Sequence, residues 1–224
     1  MASAKESNRI VPANASIDKR SDGDKARKNA ILQKPEAALQ LIRNALNAGI
    51  KVSYVLMDTW FTNEPFIANI LAEGLDVIGM LKDNKQYYIY KGKKYNLKQI
   101  GKLVSFQKAG DILYSICVKT GKQNIPVKLV FVRNRNKRSE YIVLLSTDCT
   151  LSCEEIVRTY GNRWSIELFF RASKSLLDLG SEFQGLSYDM TVSSTGNLFL
   201  MMRKILFIKC KKLHQKVVFF WERI

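Results

Sequence analysis

Two short, almost uninterrupted apolar runs with a helical pattern between them constrain the fold of this chain more than any other feature. Residues 52–57 (VSYVLM) end at Asp58, and residues 75–81 (LDVIGML) follow a segment over 64–73 that Gly74 closes. Strands that are apolar on both faces are typical of a parallel sheet with helices on both sides. A strand, a helix and a second strand of this kind predict a βαβ unit, so we expect an α/β fold.

The segments before this unit have a different character. Residues 1–33 are polar and mixed in charge, which predicts a loop or a loosely held lead-in. Residues 34–81 combine the βαβ unit with a preceding helix, in which Pro35 and Glu36 suit the first turn and Gly49 ends the apolar periodicity. We expect 34–81 to form part of the core of the domain.

After residue 81 the apolar pattern changes to a period of two. Residues 82–150 contain short alternating runs separated by Gly, Asn and Lys, which predicts a basic, antiparallel β-rich insertion. These runs are 87–90, 112–118, 127–132 and 141–146. Residues 151–224 return to the helical period, with a capping box over 152–155, a helix extending to about Leu179 and a last helix over 193–213.

The charge of the chain is high and unevenly placed. There are 36 Lys and Arg residues against 20 Asp and Glu, a net +16. Residues 82–138 hold fifteen of the basic residues and only Asp83 and Asp111, so a net +13 lies there, with the segment 133–138 (RNRNKR) the most basic. Such a distribution favours nucleic acid as the partner. An anionic membrane surface is disfavoured, because most of the charge lies on turns of a β region rather than on an amphipathic helix.

Several classes of protein and site are disfavoured by what the sequence lacks. No run approaches the ~20 apolar residues of a membrane helix, and the N-terminus has no apolar signal-peptide core, so we expect a cytoplasmic, nucleoid-associated protein. His214 is the only histidine, which argues against Ser-His-Asp and Cys-His catalysis. The four cysteines do not have the spacing of a structural zinc site.

A narrow charged stripe marks the predicted helix after residue 152. With ~100° per residue, the stripe members share an arc of roughly 80° on a helix that is otherwise largely apolar. The members are Tyr160, Arg163, Glu167, Arg171 and Lys174. A glutamate among cations on such a helix suggests a site for anions and metal. The alternative is a ladder of i,i+4 ion pairs that stabilises the helix by ~0.3–0.5 kcal/mol per pair and does nothing else.

The spacing Tyr160-x2-Arg163-x3-Glu167-x6-Lys174 resembles the Y-R-E-K signature of bacterial insertion-sequence transposases with a DDE active site. Residues 55–61 (VLMDTWF) are similar to the motif around the second aspartate of that family, which follows a strand and precedes an aromatic pair. The resemblance extends over most of the chain.

This resemblance implies an RNase H-like catalytic core, incomplete at its N-terminus and interrupted by the β-rich insertion. Asp58 and Glu167 would be the second and third acids of the triad and would bind two Mg²⁺ or Mn²⁺ ions, which cut and join DNA. By the same resemblance, Arg163 and Lys174 would contact phosphates near the cut, and Tyr160 would help to hold the terminal DNA. Hard oxygen ligands suit these ions and require no histidine.

The basic turn of the insertion gives four further candidate DNA-binding residues, Arg133, Arg135, Lys137 and Arg138. The expected partners are transposon ends and target DNA, with a homodimer or an assembly with an upstream fragment or full-length transposase as the expected protein partner.

The first aspartate of the family has no clear counterpart. Asp18, Asp22 and Asp24 lie in a polar segment without an apolar strand, and we assign none of them. Two functions therefore stay open. One is a transposase fragment whose isolated chain is inactive. The other is an inactive DNA-binding remnant that occupies transposon ends or poisons full-length transposase.

Overall fold

The computed structural model describes residues 19–20, 32–83, 86–106, 110–134, 137, 140–165, 167–168 and 171, and the backbone of 217–220. The chain forms two compact units. The first comprises residues 1–41 and 168–214, and the second comprises residues 42–167 and 215–224. Of the first unit, the described residues include the first half of one helix. The second unit contains a β-sheet.

The described elements occur in the following order. The helices are α1 (Lys34–Asn47), α2 (Glu64–Ala72), α3 (Leu97–Leu103) and α4 (Cys153–Gly161). The strands are β1 (Tyr54–Met57), β2 (Asp76–Leu81), β3 (Tyr87–Tyr90), β4 (Lys93–Asn96), β5 (Ile112–Thr120), β6 (Pro126–Arg133), β7 (Tyr141–Ser146) and β8 (Val217–Phe220).

The predicted βαβ unit is confirmed. Strand β1 pairs in parallel with β2, in a register that sets Tyr54 beside Asp76 and Met57 beside Gly79, and α2 forms the crossover. On its other side, β1 pairs in parallel with β8. Because β1 lies between two strands and is buried from Val55 to Met57, the residue that follows it emerges from the interior of the sheet.

The remaining strands extend the same sheet. Its order in the described part of the chain is β4-β3-β5-β6-β7-β2-β1-β8, and β7 pairs antiparallel with β2. The sheet is therefore mixed, and the α/β fold class is confirmed and compatible with an RNase H-like domain. The interruption by an insertion and the incomplete N-terminus stay predictions. The four alternating runs correspond to β3, β5, β6 and β7, whereas β4 and α3 were not predicted.

Local sequence signals explain where several elements begin and turn. Asn63 caps α2 through its side-chain oxygen, which accepts a hydrogen bond from the Phe66 amide at 3.1 Å. Capping boxes begin α3 at Asn96 and α4 at Ser152, as the pattern over 152–155 predicts for α4. Lys91 and Gly92 both have positive φ, as a two-residue type I′ turn between β3 and β4 requires.

Helix α4 is fixed to the sheet by one of its hydrophobic clusters. Ile156 is fully buried and packs with residues of four strands. These are Leu56 of β1, Ile78 of β2, Val130 and Val132 of β6, and Leu144 of β7. We call the side of the sheet that carries this cluster the α4 face.

The long helix predicted from residue 152 to Leu179 is wrong in one respect. Helix α4 ends at Gly161, residues 162–163 form a turn, and helical conformation is described again at 164–165, 167–168 and 171. The amides of Arg163 and Ser165 bond to carbonyls three residues earlier, so the backbone is wound more tightly there than in an α-helix. The predicted lead-in, apart from residues 19–20 and 32–33, and the predicted helix over 193–213 lie outside the described residues.

Replacing Ile156 should destabilise the sheet–helix contact. We expect Ile156→Ala to lower the free energy of unfolding by about 2–5 kcal/mol, because a fully buried aliphatic side chain leaves a cavity. Arg158→Ala, an exposed change on the same helix, should alter it by less than about 0.5 kcal/mol. Urea unfolding followed by circular dichroism measures both, and equal losses would contradict the packing described.

Candidate active site

Asp58 lies immediately after the carboxyl end of β1, the position at which open α/β sheets bind ligands. Its side chain is 9% exposed. The Oδ1 atom accepts hydrogen bonds from the backbone amides of Trp60 at 3.0 Å and Phe61 at 3.3 Å. No hydrogen bond reaches Oδ2 from the described part of the chain, so one oxygen holds the turn while the other is available to a ligand.

Thr62 fixes the turn from the opposite end. Its amide donates to the Asp58 carbonyl oxygen at 3.2 Å, and its hydroxyl donates to the same oxygen. Thr62 is 2% exposed and packs over Gly79 of the neighbouring strand, where a Cβ would lie 2.7 Å from Thr62 Cγ2. The absence of a side chain at Gly79 is thus what allows the turn to sit against β2.

Tyr160, Arg163 and Glu167 form a second part of the site, from the end of α4 onward. An Arg163 guanidinium nitrogen lies 2.8 Å from Glu167 Oε1, and the exposed fractions of these side chains are 13% and 21%. The guanidinium carbon lies 5.7 Å from the centre of the Tyr160 ring. Neither Tyr160 Oη nor Arg163 Nε, both buried, has a hydrogen-bond partner of good geometry in the described structure.

The electrostatics of Tyr160 connect the two parts. The pKa of Tyr160 is raised to about 12, chiefly by burial, while the Arg163 guanidinium opposes the rise and the negative charges of Asp58 and Glu167 add to it. Glu167 is joined to Tyr160 through Arg163, and Tyr160 packs against the cluster that contains Leu56, two residues before Asp58, although 109 positions separate the two carboxylates in the sequence. The turn at 162–163 does not prevent Tyr160, Arg163 and Glu167 from meeting.

The arrangement offers carboxylate oxygens, a partly buried cation and a phenol in one region. Carboxylates are the ligands that Mg²⁺ and Mn²⁺ prefer. A guanidinium with a nitrogen that has no hydrogen-bond acceptor of good geometry among the described residues is suited to bind a phosphate. Within the described ranges, Asp58 and Glu167 are not joined by a third His, Cys, Asp or Glu that would complete a metal cluster.

Of the four predicted DNA-binding residues of the basic turn, the structure describes two, Arg133 and Lys137. Arg133 Nε lies 3.4 Å from the Gly110 carbonyl oxygen, and Lys137 forms an ion pair with Glu140 at 3.2 Å. Arg135 and Arg138 lie outside the described residues, as does Lys174 of the charged stripe. The two described residues of the turn therefore have partners within the turn or beside it.

Sequence reasoning missed Thr62 and Gly79, whose roles follow from contacts between β2 and the turn after β1. A threonine four residues after a strand-ending aspartate carries too little information to be singled out. Trp60 was noted only as part of an aromatic pair; its side chain is 41% exposed, and its ring meets Phe61 edge-to-face at 4.6 Å.

Comparison with protein families agrees with this geometry. Residues 25–182 match the model of the transposase DDE domain, which is about 70% of the chain. The chain belongs to the transposase DDE domain family. The resemblance to DDE transposases is therefore confirmed, and the matched range includes both Asp58 and Glu167 of this transposase domain. No curated protein matches the chain.

The membrane was disfavoured on sequence grounds. Of the helices that the structure describes in this transposase domain, none is long and apolar enough to cross a membrane.

The packing of Thr62 over Gly79 can be tested by filling the space. Gly79→Ala should lower the free energy of unfolding by about 1–3 kcal/mol, because the new methyl group overlaps a buried side chain. Gly161→Ala is the matched control, since nothing lies within 4 Å of its added Cβ and alanine favours the end of α4. Thermal unfolding measures both variants, and an undiminished stability of Gly79→Ala would contradict the described contact.

The buried phenol of Tyr160 should ionise at a higher pH than a tyrosine in water. Difference absorbance at 295 nm between the wild-type protein and Tyr160→Phe should show Tyr160 ionising near pH 12 rather than pH 10. Because the unfolded chain loses this proton first, the contribution of Tyr160 to stability is complete below pH 10 and falls as the pH rises toward 12. Glu167→Gln should lower the pKa of Tyr160 by removing a negative charge. Ionisation of Tyr160 near pH 10 would place it in water instead.

Proposed function

We propose that this transposase domain cleaves and joins DNA at the ends of an insertion sequence by a two-metal DDE mechanism, with Asp58 and Glu167 as two of its acidic residues. The observation that carries the proposal is the match of residues 25–182, which include Asp58 and Glu167, to the transposase DDE domain. The position of Asp58 at the end of β1, the ion pair of Glu167 with Arg163 beside Tyr160 and the basic charge of residues 82–138 support it.

Asp58 and Glu167 would hold the divalent ions. The donor set fits Mg²⁺ or Mn²⁺, because Asp58 Oδ2 has no donor among the described residues and Asp58 Oδ1 is held by two amides, which orients the carboxylate. When bound, such ions supply an activated water or 3′-hydroxyl and stabilise the leaving oxygen.

Arg163 and Tyr160 would position the DNA. The ion pair with Glu167 orients the Arg163 guanidinium, whose Nε has no hydrogen-bond acceptor of good geometry among the described residues, so a phosphate oxygen that reached it would gain a charge-assisted hydrogen bond. The Tyr160 hydroxyl stays protonated at neutral pH, so Tyr160 adds no negative charge where the terminal DNA would be held. Lys174, by the resemblance to the family signature, would contact a second phosphate.

Metal binding tests the proposal without requiring turnover. Mn²⁺ binding to the 224-residue chain, followed by electron paramagnetic resonance, should weaken by at least about tenfold in Asp58→Asn and in Glu167→Gln. Glu154→Gln, an exposed carboxylate at the start of α4, is the control and should bind as the wild-type protein does. Unchanged Mn²⁺ binding in both site variants would overturn the assignment.

Cleavage tests the catalytic step separately. We expect the isolated chain to bind duplex DNA that carries the ends of its element and not to cut it with Mg²⁺ or Mn²⁺, because two-metal catalysis needs carboxylates on both sides of the ion pair. Cleavage that disappears in Glu167→Gln would support the chemistry and refute the expected inactivity. It would then direct the search for the third acid to Asp18, Asp22 and Asp24, which lie outside the described residues.

A further inference from the structure

A group of five exposed lysines lies where β3, β4 and the end of β5 meet. We call this group the lysine corner. Its members are Lys91, Lys93 and Lys94 of the β3–β4 hairpin, Lys119 of β5, and Lys122 of the turn that follows β5. In the described structure none of the five forms an ion pair with a carboxylate, in contrast to Lys137 of the basic turn.

One acidic group beside the corner, Glu64, is already engaged. The Glu64 carboxylate accepts hydrogen bonds from the backbone amides of Lys122 and Gln123. These bonds hold the turn after β5 against the start of α2. Glu64 also lines a cavity of about 540 Å³ together with Lys94 and Lys122, which places these two lysines around one opening. Lys91 lies over the Tyr90 ring, 5.4 Å from its centre. The corner therefore has a locally fixed backbone and an excess of positive charge.

Strand register places part of this corner on the α4 face. Lys128 of β6 lies two residues from Val130 of the α4-face cluster and pairs with Cys117 of β5. Lys119, two residues further along β5, points to the same side. Lys119 pairs with Ile89 of β3, and Ile89 pairs with Lys94 of β4. Lys119 and Lys94 thus stand in one row on the same side of the sheet.

Asp58 lies on this side as well. It follows Leu56 of the α4-face cluster by two residues, and its charge acts on Tyr160, which packs against that cluster. In the strand order, β5 is four strand spacings from β1, and β4 is six. At ~4.8 Å per spacing the corner lies about 20–30 Å from Asp58.

We propose that the lysine corner is a phosphate-contacting surface that holds duplex DNA about six to nine base pairs from the phosphate cut at Asp58. The separation corresponds to this length of B-DNA at ~3.4 Å per base pair. Lysines act as flexible point charges on phosphates rather than as readers of bases, so the contact is independent of sequence and secures the register of the duplex. The position of the cut at Asp58 rests on the proposed function. The phosphate-contacting surface itself rests only on the positions and charges of its lysines.

The salt dependence of binding tests the surface. Lys94→Gln and Lys119→Gln combined, the corner variant, should reduce the slope of log affinity against log salt by up to about 1.8, since each lost phosphate contact removes ~0.9. The matched control replaces two other exposed lysines, Lys51 and Lys102, with Gln. This control should change the slope by less than 1. Equal slopes for the corner variant and its control would overturn the proposal, as would an unchanged slope in the corner variant.

The position of the contact is tested with chemically altered DNA. A 30-base-pair end duplex with neutral methylphosphonates six to nine base pairs from the cut should bind the wild-type protein more weakly than the unmodified duplex. The corner variant should bind the modified and the unmodified duplex with equal affinity. A loss of affinity confined to other positions would overturn the distance. Asp58→Asn should keep the full salt slope, so failure of the metal site and failure of the lysine corner give different results.

Discussion

Hydrogen bonds between β1 and β2, in parallel register from Tyr54–Asp76 to Met57–Gly79, determine where the chain leaves the sheet at Asp58. Parallel strands place their carboxyl ends at one edge, and the crossover helix α2 must begin a few residues later. The turn between them is therefore short, and its amides and the Thr62 hydroxyl converge on Asp58. The carboxylate is oriented by the same pairing that builds the core.

The second half of the site depends on a different contact. Ile156 anchors α4 to the α4 face, so the end of that helix brings Tyr160 to the region of Asp58. From there, the turn at 162–163 leads to Glu167, and the ion pair with Arg163 compensates part of the cost of a half-buried carboxylate. A site assembled from two distant segments in this way is sensitive to core packing as well as to its own side chains.

Much of this could be predicted from sequence, because the signals are local or periodic. The apolar runs predicted β1 and β2, and the capping box at Ser152 predicted the start of α4. Strand β4 was missed because KKYN has no apolar alternation and forms only as the second arm of a hairpin. The end of α4 at Gly161 was missed because the apolar periodicity continues through the turn. Thr62 and Gly79 could not be predicted, since their contact joins neighbouring strands and leaves no pattern in either segment.

Strand β4 stands at one end of the strand order in the part of the chain that the structure describes, and it has only four residues, two of them lysines. An edge strand exposes unpaired backbone groups that another sheet can extend, and short, lysine-rich edges suppress such pairing through charge repulsion. Two copies that met edge to edge here would bring Lys93 and Lys94 against their counterparts. A bound polyanion would relieve that repulsion, so this edge discourages self-association most strongly when the protein is free of DNA.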